Sequence, residues 1–407
     1  MAAHRLTWRS RGTVRQPLAI AVLSAALSCV CCAKSVPLER GVLAYDRAIS
    51  TVQAKELLLN IARARHDLPL HFTAISSIAA TYKVSASAGF GPTMTGESGF
   101  LVVPFANAGG EENPTITIAP LQGEEFTQRL LTPLHESRVT MLLQQGYDVD
   151  ALLRLIGSEL HLAREGDPQD VEVFPNRPSN REGYQAFRRV VAHLSWIQDQ
   201  HALRVEPLVL RYEWTLPAAS VTPDAFQGLY RDFSITHDAG TGEYHLARQV
   251  PGRVIVANYD PALLPETERV TLNAEASRAE QDEVLIDIRR GHLGGQFPVH
   301  GQLRLRSFHE VLSFIGRGMK EEPEFDVKPD PRTPAISENP VRTLDVVETS
   351  DLPPGSRLSV AFEGHYYALR PESGYQWNRK VFNLLYQLFQ MTVQAPAAAG
   401  PTISIAK

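Results

Sequence analysis

The sequence predicts an α+β protein: a helical and antiparallel-sheet N-terminal part followed by a C-terminal βα-ββα module. Three observations carry this. Apolar residues recur at three-and-four spacing in separate blocks, most clearly Tyr184, Phe187, Val190, Val191, Leu194 and Ile197. From Phe72 onward the period switches to two. The last hundred residues order as βα and then ββα, an α+β arrangement. The expected organisation is a signal peptide over 1–33 and a helix-rich domain with a long hairpin region over 34–216. A β-rich segment over 217–300, the α+β module over 301–393 and a flexible tail over 394–407 complete it.

The first 33 residues read as an export leader. Arg5, Arg9, Arg11 and Arg15 form a basic lead-in, and Leu18 to Ala33 are apolar or small. That run has the length of a secretory core and is short for a bilayer span. It contains the chain's three cysteines, Cys29, Cys31 and Cys32. Leu27-Ser28-Cys29 approximates a lipoprotein cleavage pattern, and Cys32 is the rival lipidation site. A plain secretory cut after Ala33 is the alternative. Only a thiol can carry the diacylglycerol thioether, whose buried CH₂ groups at about 0.8 kcal/mol each hold a protein to a membrane.

The body that follows has no cysteine, which excludes structural disulfides, thiol chemistry and thiolate zinc sites. A chain of this length buries an ample core without staples. The formal net charge of −5 becomes −9 once the leader's four arginines are removed, so a phosphate backbone is repelled and nucleic acid is excluded as a partner. No later stretch has 18 unbroken apolar residues.

Taken in order, Ser50 with Gln53 reads as a capping box opening a helix over Ala54, Leu57, Leu58, Ile61 and Ala62 that ends near His66-Asp67. From Phe72 to Phe90 the even positions are mostly apolar and the odd ones mostly polar, a long strand with two unlike faces. Gly89, Gly91, Gly96 and Gly99 predict a loop, Phe100 to Phe105 a strand, Gly109-Gly110 another loop and Thr115 to Ala119 a further strand. A soluble sheet with one solvated face explains this region. So does a membrane-inserting hairpin that builds a barrel from several chains, although the apolar positions are rich in alanine and lack a clear aromatic girdle.

Helices are expected around Phe126 to Leu131, Val139 to Leu143 and, capped by Asp148, Leu152 to Leu160. A polar loop over Pro168 to Asn180 precedes the strong helix at Tyr184 to Ile197. Val205 to Leu216, Phe233 to Thr236, Tyr244 to Ala247, Val254 to Ala257 and Val284 to Ile288 read as strands, with Thr222-Pro223 opening a short helix. Ser307 to Glu310 is a capping box for a helix over Phe308, Val311, Leu312 and Ile315. Glu321 to Pro340, with five prolines, reads as an irregular, solvated connector. Strands at Leu344 to Val347, Leu358 to Phe362 and Tyr366 to Leu369 lead to a closing helix over Trp377 to Val393.

Several stretches resemble a group of uncharacterised proteobacterial envelope lipoproteins. They are Ala44-Tyr45-Asp46-Arg47-Ala48, Asn113-Pro114-Thr115-Ile116 with Gln122 to Phe126, Arg306-Ser307 with Val311 to Ile315, and Gly400-Pro401-Thr402-Ile403. The resemblance implies export and lipidation and no chemistry. In that group glycine tends to precede the lipidated cysteine, and Cys31 takes that place before Cys32.

Catalytic patterns fall short. Gly96-Glu97-Ser98-Gly99 has the wrong spacing for a nucleophile elbow. His135-Glu136 and His309-Glu310 begin a zinc-peptidase motif, but Val139 and Ser313 stand where the second histidine is needed. His237, Asp238, Glu243 and His245 could hold a metal across a turn, although such a turn is more often solvated. Gly89-Phe90-Gly91 lacks the helix of a phosphate loop, and Glu321, Glu322, Glu324 and Asp326 lack the alternation of a calcium loop. No catalytic, metal or cofactor residues are therefore assigned. The expected role is non-catalytic assembly or binding at the periplasmic face of the outer membrane, through a lipid anchor on Cys32 or Cys29. The alternative compartments are soluble periplasmic and secreted. An envelope protein or a second copy of the chain is the expected partner. A hydrolase of envelope polymers and an oligomeric pore built on residues 72–119 are the alternatives.

Overall fold

The computed structural model describes residues 35–95, 99–164, 167–278, 280–356, 358–372 and 376–392. Cys29, Cys32, the Glu97-Ser98 pair and the C-terminal tail lie outside them. The chain divides into two units, one ending at Glu56 and one running from Leu57. The architecture is α+β.

The first helix, α1, spans Ser35–Arg65 and is already helical at the position read as its start. Ser50 Oγ donates to the Asp46 carbonyl at 2.9 Å, the back-bond of a mid-helix serine and not a cap. The predicted end holds: Asp67 adopts φ 52° just past Arg65.

Two strands follow, β1 (Phe72–Thr95) and β2 (Gly99–Leu121), forming a two-stranded antiparallel sheet of their own. The loops expected at Gly89–Gly91 and Gly109-Gly110 do not form, because each glycine has a rung partner and glycine adopts extended backbone as readily as a turn.

Three short helices come next: α2 (Glu124–Leu131), α3 (Glu136–Gln144) and α4 (Val149–Ile156). Every residue of α4 is buried. It stops four residues before Leu160, which belongs to β3 (Gly157–Arg164). The expected polar loop is largely a strand, β4 (Asp167–Pro175), paired to β3 with Leu160 opposite Phe174. Then come α5 (Arg181–Asp199), β5 (Arg204–Pro217), α6 (Pro223–Asp232), β6 (Ser234–Asp238) and β7 (Glu243–Ala257). Thr222 caps α6 by accepting from the Ala225 amide, as its Thr-Pro start predicts.

A helix the sequence pattern did not show, α7 (Glu266–Arg278), links β7 to β8 (Glu283–Ile288), and those strands run parallel. Only Leu272 and Ala276 of α7 are buried, packing on Ile255, Leu285 and Leu208, so its apolar signal is two residues wide. β9 (Val299–Leu305) lies between β3 and β8 in a seven-stranded sheet of order β4-β3-β9-β8-β7-β5, with β6 also on β7. Its continuation, α8 (Phe308–Gly318), opens with the expected capping box: the Ser307 amide donates to Glu310 at 2.8 Å and the Glu310 amide to Ser307 Oγ at 3.2 Å.

The connector after α8 is irregular and mostly solvent-accessible, as expected, with Val327 and Thr333 as its buried positions. It ends at a three-stranded sheet, β10 (Val346–Thr349), β11 (Ser359–Phe362) and β12 (His365–Leu369), turned at Gly364 with φ 81°. α9 (Trp377–Thr392) closes the fold with nine buried residues.

Candidate assembly site

The hairpin has a fixed root. Phe72 is fully buried, and its ring stacks on Phe389 at 4.8 Å and meets Phe126 and Phe308 at 6.2 and 6.3 Å. One residue upstream, the Asn60 amide of α1 clasps the backbone of His71. It donates to the His71 carbonyl and accepts from its amide, both at 2.8 Å. Ring packing and a two-way hydrogen bond therefore set where β1 begins.

Beyond the root the ladder continues from Phe72 opposite Leu121 to Thr95 opposite Gly99, with one bulge between Ile75 and Ser77. At about 3.3 Å per residue, the 24 residues of β1 extend roughly 80 Å. Among the described residues, β1 and β2 pair with no other strand. The outer side of each strand is thus a sheet edge among the described strands, the arrangement that templates further strand pairing. Charge is confined to a narrow belt: Lys83 faces Glu111, and the neighbouring rung pairs Tyr82 with Glu112.

The other predicted positions have structural duties. His135 caps α3, its Nδ1 accepting from the Ser137 amide at 3.1 Å, and Glu136 pairs with Arg253 at 3.0 Å. His237 and His245 lie on adjacent rungs, partnering Tyr244 and Thr236. Adjacent rungs point to opposite faces, so the two histidines do not converge. Asp238 accepts from the Gly240 and Thr241 amides and shapes the turn. Among the described residues, no three His, Cys, Asp or Glu side chains are placed so that they could hold a metal ion. Gly89-Phe90-Gly91 lies inside β1.

The acidic run is expected to face solvent, yet the Glu324 side chain is only 6% exposed. It accepts from Tyr184 Oη at 2.8 Å, the Thr343 amide at 2.6 Å and the Thr343 hydroxyl at 2.7 Å. The guanidinium groups of Arg154 and Arg188, also buried, approach to 3.8 Å. Burial lowers Arg154 to about 10, with the Arg188 charge adding to the effect. The connector supplies acceptors as well: Val341 O takes bonds from both arginines and Pro340 O from Arg188. Arginine's fork suits such carbonyl-rich packing. In sequence Arg154 shares its short helix with Asp150 and Arg188 sits beside Arg189, and nothing there pairs them with Glu324, more than 130 positions away.

A second charged group, also unmarked in the sequence, joins β8, β9 and α7. His300 bonds Asp287 at 3.0 Å and Glu275 at 2.9 Å, while Asp287 also accepts from Tyr259 and Arg289. The two carboxylates raise the His300 imidazole to about 10. Burial alone would raise Asp287, but its bonds to His300 and Tyr259 and the Arg289 charge hold it below the usual range. An imidazolium between two carboxylates cannot accept a proton at neutral pH, so this is an ion-pair network and not a poised base.

A shallow groove of about 780 Å³ lies among the end of α8, β10 and β12. Its basic side chains include Arg342 and Arg370, both bound to Asp345, and its one carboxylate, Glu348, pairs with Arg65. Paired-carboxylate hydrolysis needs two free acids about 5–10 Å apart, which this groove does not offer. None of the described helices is long and apolar enough to cross a membrane. Comparison with protein-family models, curated proteins and solved structures finds no match to this chain.

Proposed function

We propose that this chain is a non-catalytic lipoprotein of the cell envelope with an assembly role, and that its copies join edge to edge through β1 and β2. The observation that carries the reading is the pairing itself: all 23 residues of β2 have partners on β1 and, among the described residues, on no other strand. A two-stranded ribbon alone is marginal in water, and edges this long are normally covered or closed. A second copy fits the edges without a new element, because the free edge of β1 on one copy can meet that of β2 on the next and continue the antiparallel alternation. Where the rotation between copies closes, such head-to-tail contacts form a ring, and a closed sheet has no edges. Pro92, Pro104, Pro114 and Pro120 each remove one donor and leave most of the ladder intact.

The anchor is an acyl chain on Cys32 or Cys29, at the periplasmic face of the outer membrane. The net charge of −9 after leader removal supports a protein or lipid partner over nucleic acid. The test is light scattering on the detergent-extracted chain beside a variant in which residues 77–117 are replaced by an Asn-Gly turn. The intact chain is expected at several copies and the shortened one at a single copy. A single-copy mass for the intact chain, or an unchanged mass for the variant, overturns the reading.

A further inference from the structure

The ladder contains a section with the dimensions and residue types of a transmembrane barrel strand pair. Twelve consecutive rungs, from Val84 opposite Gly110 to Thr95 opposite Gly99, hold no Asp, Glu, Lys or Arg. Twelve residues extend about 40 Å, and a tilt of about 45° brings that to roughly 28 Å, close to the 30 Å hydrocarbon core that strands of 9–11 residues cross. The section ends abruptly at the Lys83–Glu111 rung and, beside it, Glu112.

Within these rungs the residue types alternate. The even-numbered β1 residues from Val84 to Met94, with their six β2 partners from Phe100 to Gly110, include no polar side chain. The intervening β1 residues are Ser85, Ser87, Gly89, Gly91, Thr93 and Thr95. Their β2 partners are Gly109, Asn107, Phe105, Val103, Leu101 and Gly99, so β2 is apolar at both parities from Phe100 to Phe105 and the alternation belongs to β1. On β1 it is the dyad of a membrane-barrel strand, apolar toward lipid and polar or small toward the lumen. A ribbon can occupy hydrocarbon only as part of a closed sheet, since each unpaired backbone group there costs several kcal/mol.

We infer that the distal hairpin, rungs 84/110 to 95/99, crosses a lipid bilayer as a stave of the multi-chain barrel, with the Lys83, Glu111 and Glu112 belt at the water boundary. This rests on the edge-to-edge assembly proposed above. The partner is the acyl interior of the membrane, met by the even-numbered rungs.

The experiment places one tryptophan at a time in the full chain by Ala80→Trp, Ser87→Trp or Phe90→Trp. Each protein is reconstituted in phosphatidylethanolamine–phosphatidylglycerol vesicles with brominated acyl chains, and the parent chain's emission is subtracted. The inference expects at least twofold quenching of the indole introduced by Phe90→Trp, much less for Ser87→Trp, and none for Ala80→Trp on the near side of the belt. Equal and negligible quenching at all three sites, in protein that still forms multi-copy particles, overturns the membrane crossing and leaves the assembly standing. Single-copy protein in the same vesicles overturns both.

Discussion

Asp150 is buried in the first turn of α4, where burial pushes its carboxyl up to about 6 against the pull of Arg154 and the Ala151 amide. Its folded pKa lies above the unfolded 3.8, so folding takes up a proton between those values and stability falls as pH rises through about 6. Asp150→Asn is expected to raise stability at pH 8 by about 1–3 kcal/mol, and the gain should vanish near pH 3. Denaturant melts at the two pH values check both arms. His300 is also raised, but as a base that gains partners. Its contribution is complete below about pH 6.5 and is lost as pH climbs toward 10. The melting temperature should fall between pH 6.5 and 9, and His300→Gln should flatten that slope. Glu324→Gln leaves two buried guanidinium groups without their counter-charge, which costs about 3–5 kcal/mol. An unchanged melting temperature for that variant would mean that the buried cluster is solvated in solution.

At the scale of elements, the hairpin depends on its root. Phe72→Ala empties the centre of an aromatic group and is expected to cost about 3–5 kcal/mol, read as a lowered denaturant midpoint. The elements most legible in the sequence were those whose own period or cap defined them: α5 by its apolar stripe, α8 by Ser307 and Glu310, β1 by its alternation, α9 by its apolar surface. Other elements were hidden for physical reasons. Residues Ser35 to Thr51 of α1 carry no steady apolar stripe, so the first cap-like serine looked like a start. Glycines within β1 and β2 resembled loops because glycine's backbone freedom gives the same sequence signal whether it bends or extends. α7 buries only two residues, too few for a period to register. The enclosure of the Glu324 side chain and of the Pro340 and Val341 carbonyls depends on Arg154, Arg188 and Tyr184, distant partners that periodicity cannot supply.

For the whole molecule, a leader with clustered cysteines and a cysteine-free body accord with export and an acyl tether. Intact-mass analysis of the membrane fraction should find acyl additions on a chain beginning at Cys29 or Cys32. An unmodified chain beginning at Lys34 would remove the tether without touching the hairpin. The candidate site was partly readable, since the alternation from Phe72 already admitted a multi-chain barrel. The 23-residue pairing, a sheet of two strands among the described residues, and the charge belt emerge only with the register. Native mass spectrometry of the full-length chain extracted from its membrane tests this most directly. A closed ring predicts one dominant species at a fixed multiple of the protomer mass, unchanged on dilution. A protomer-mass species at every concentration would contradict it.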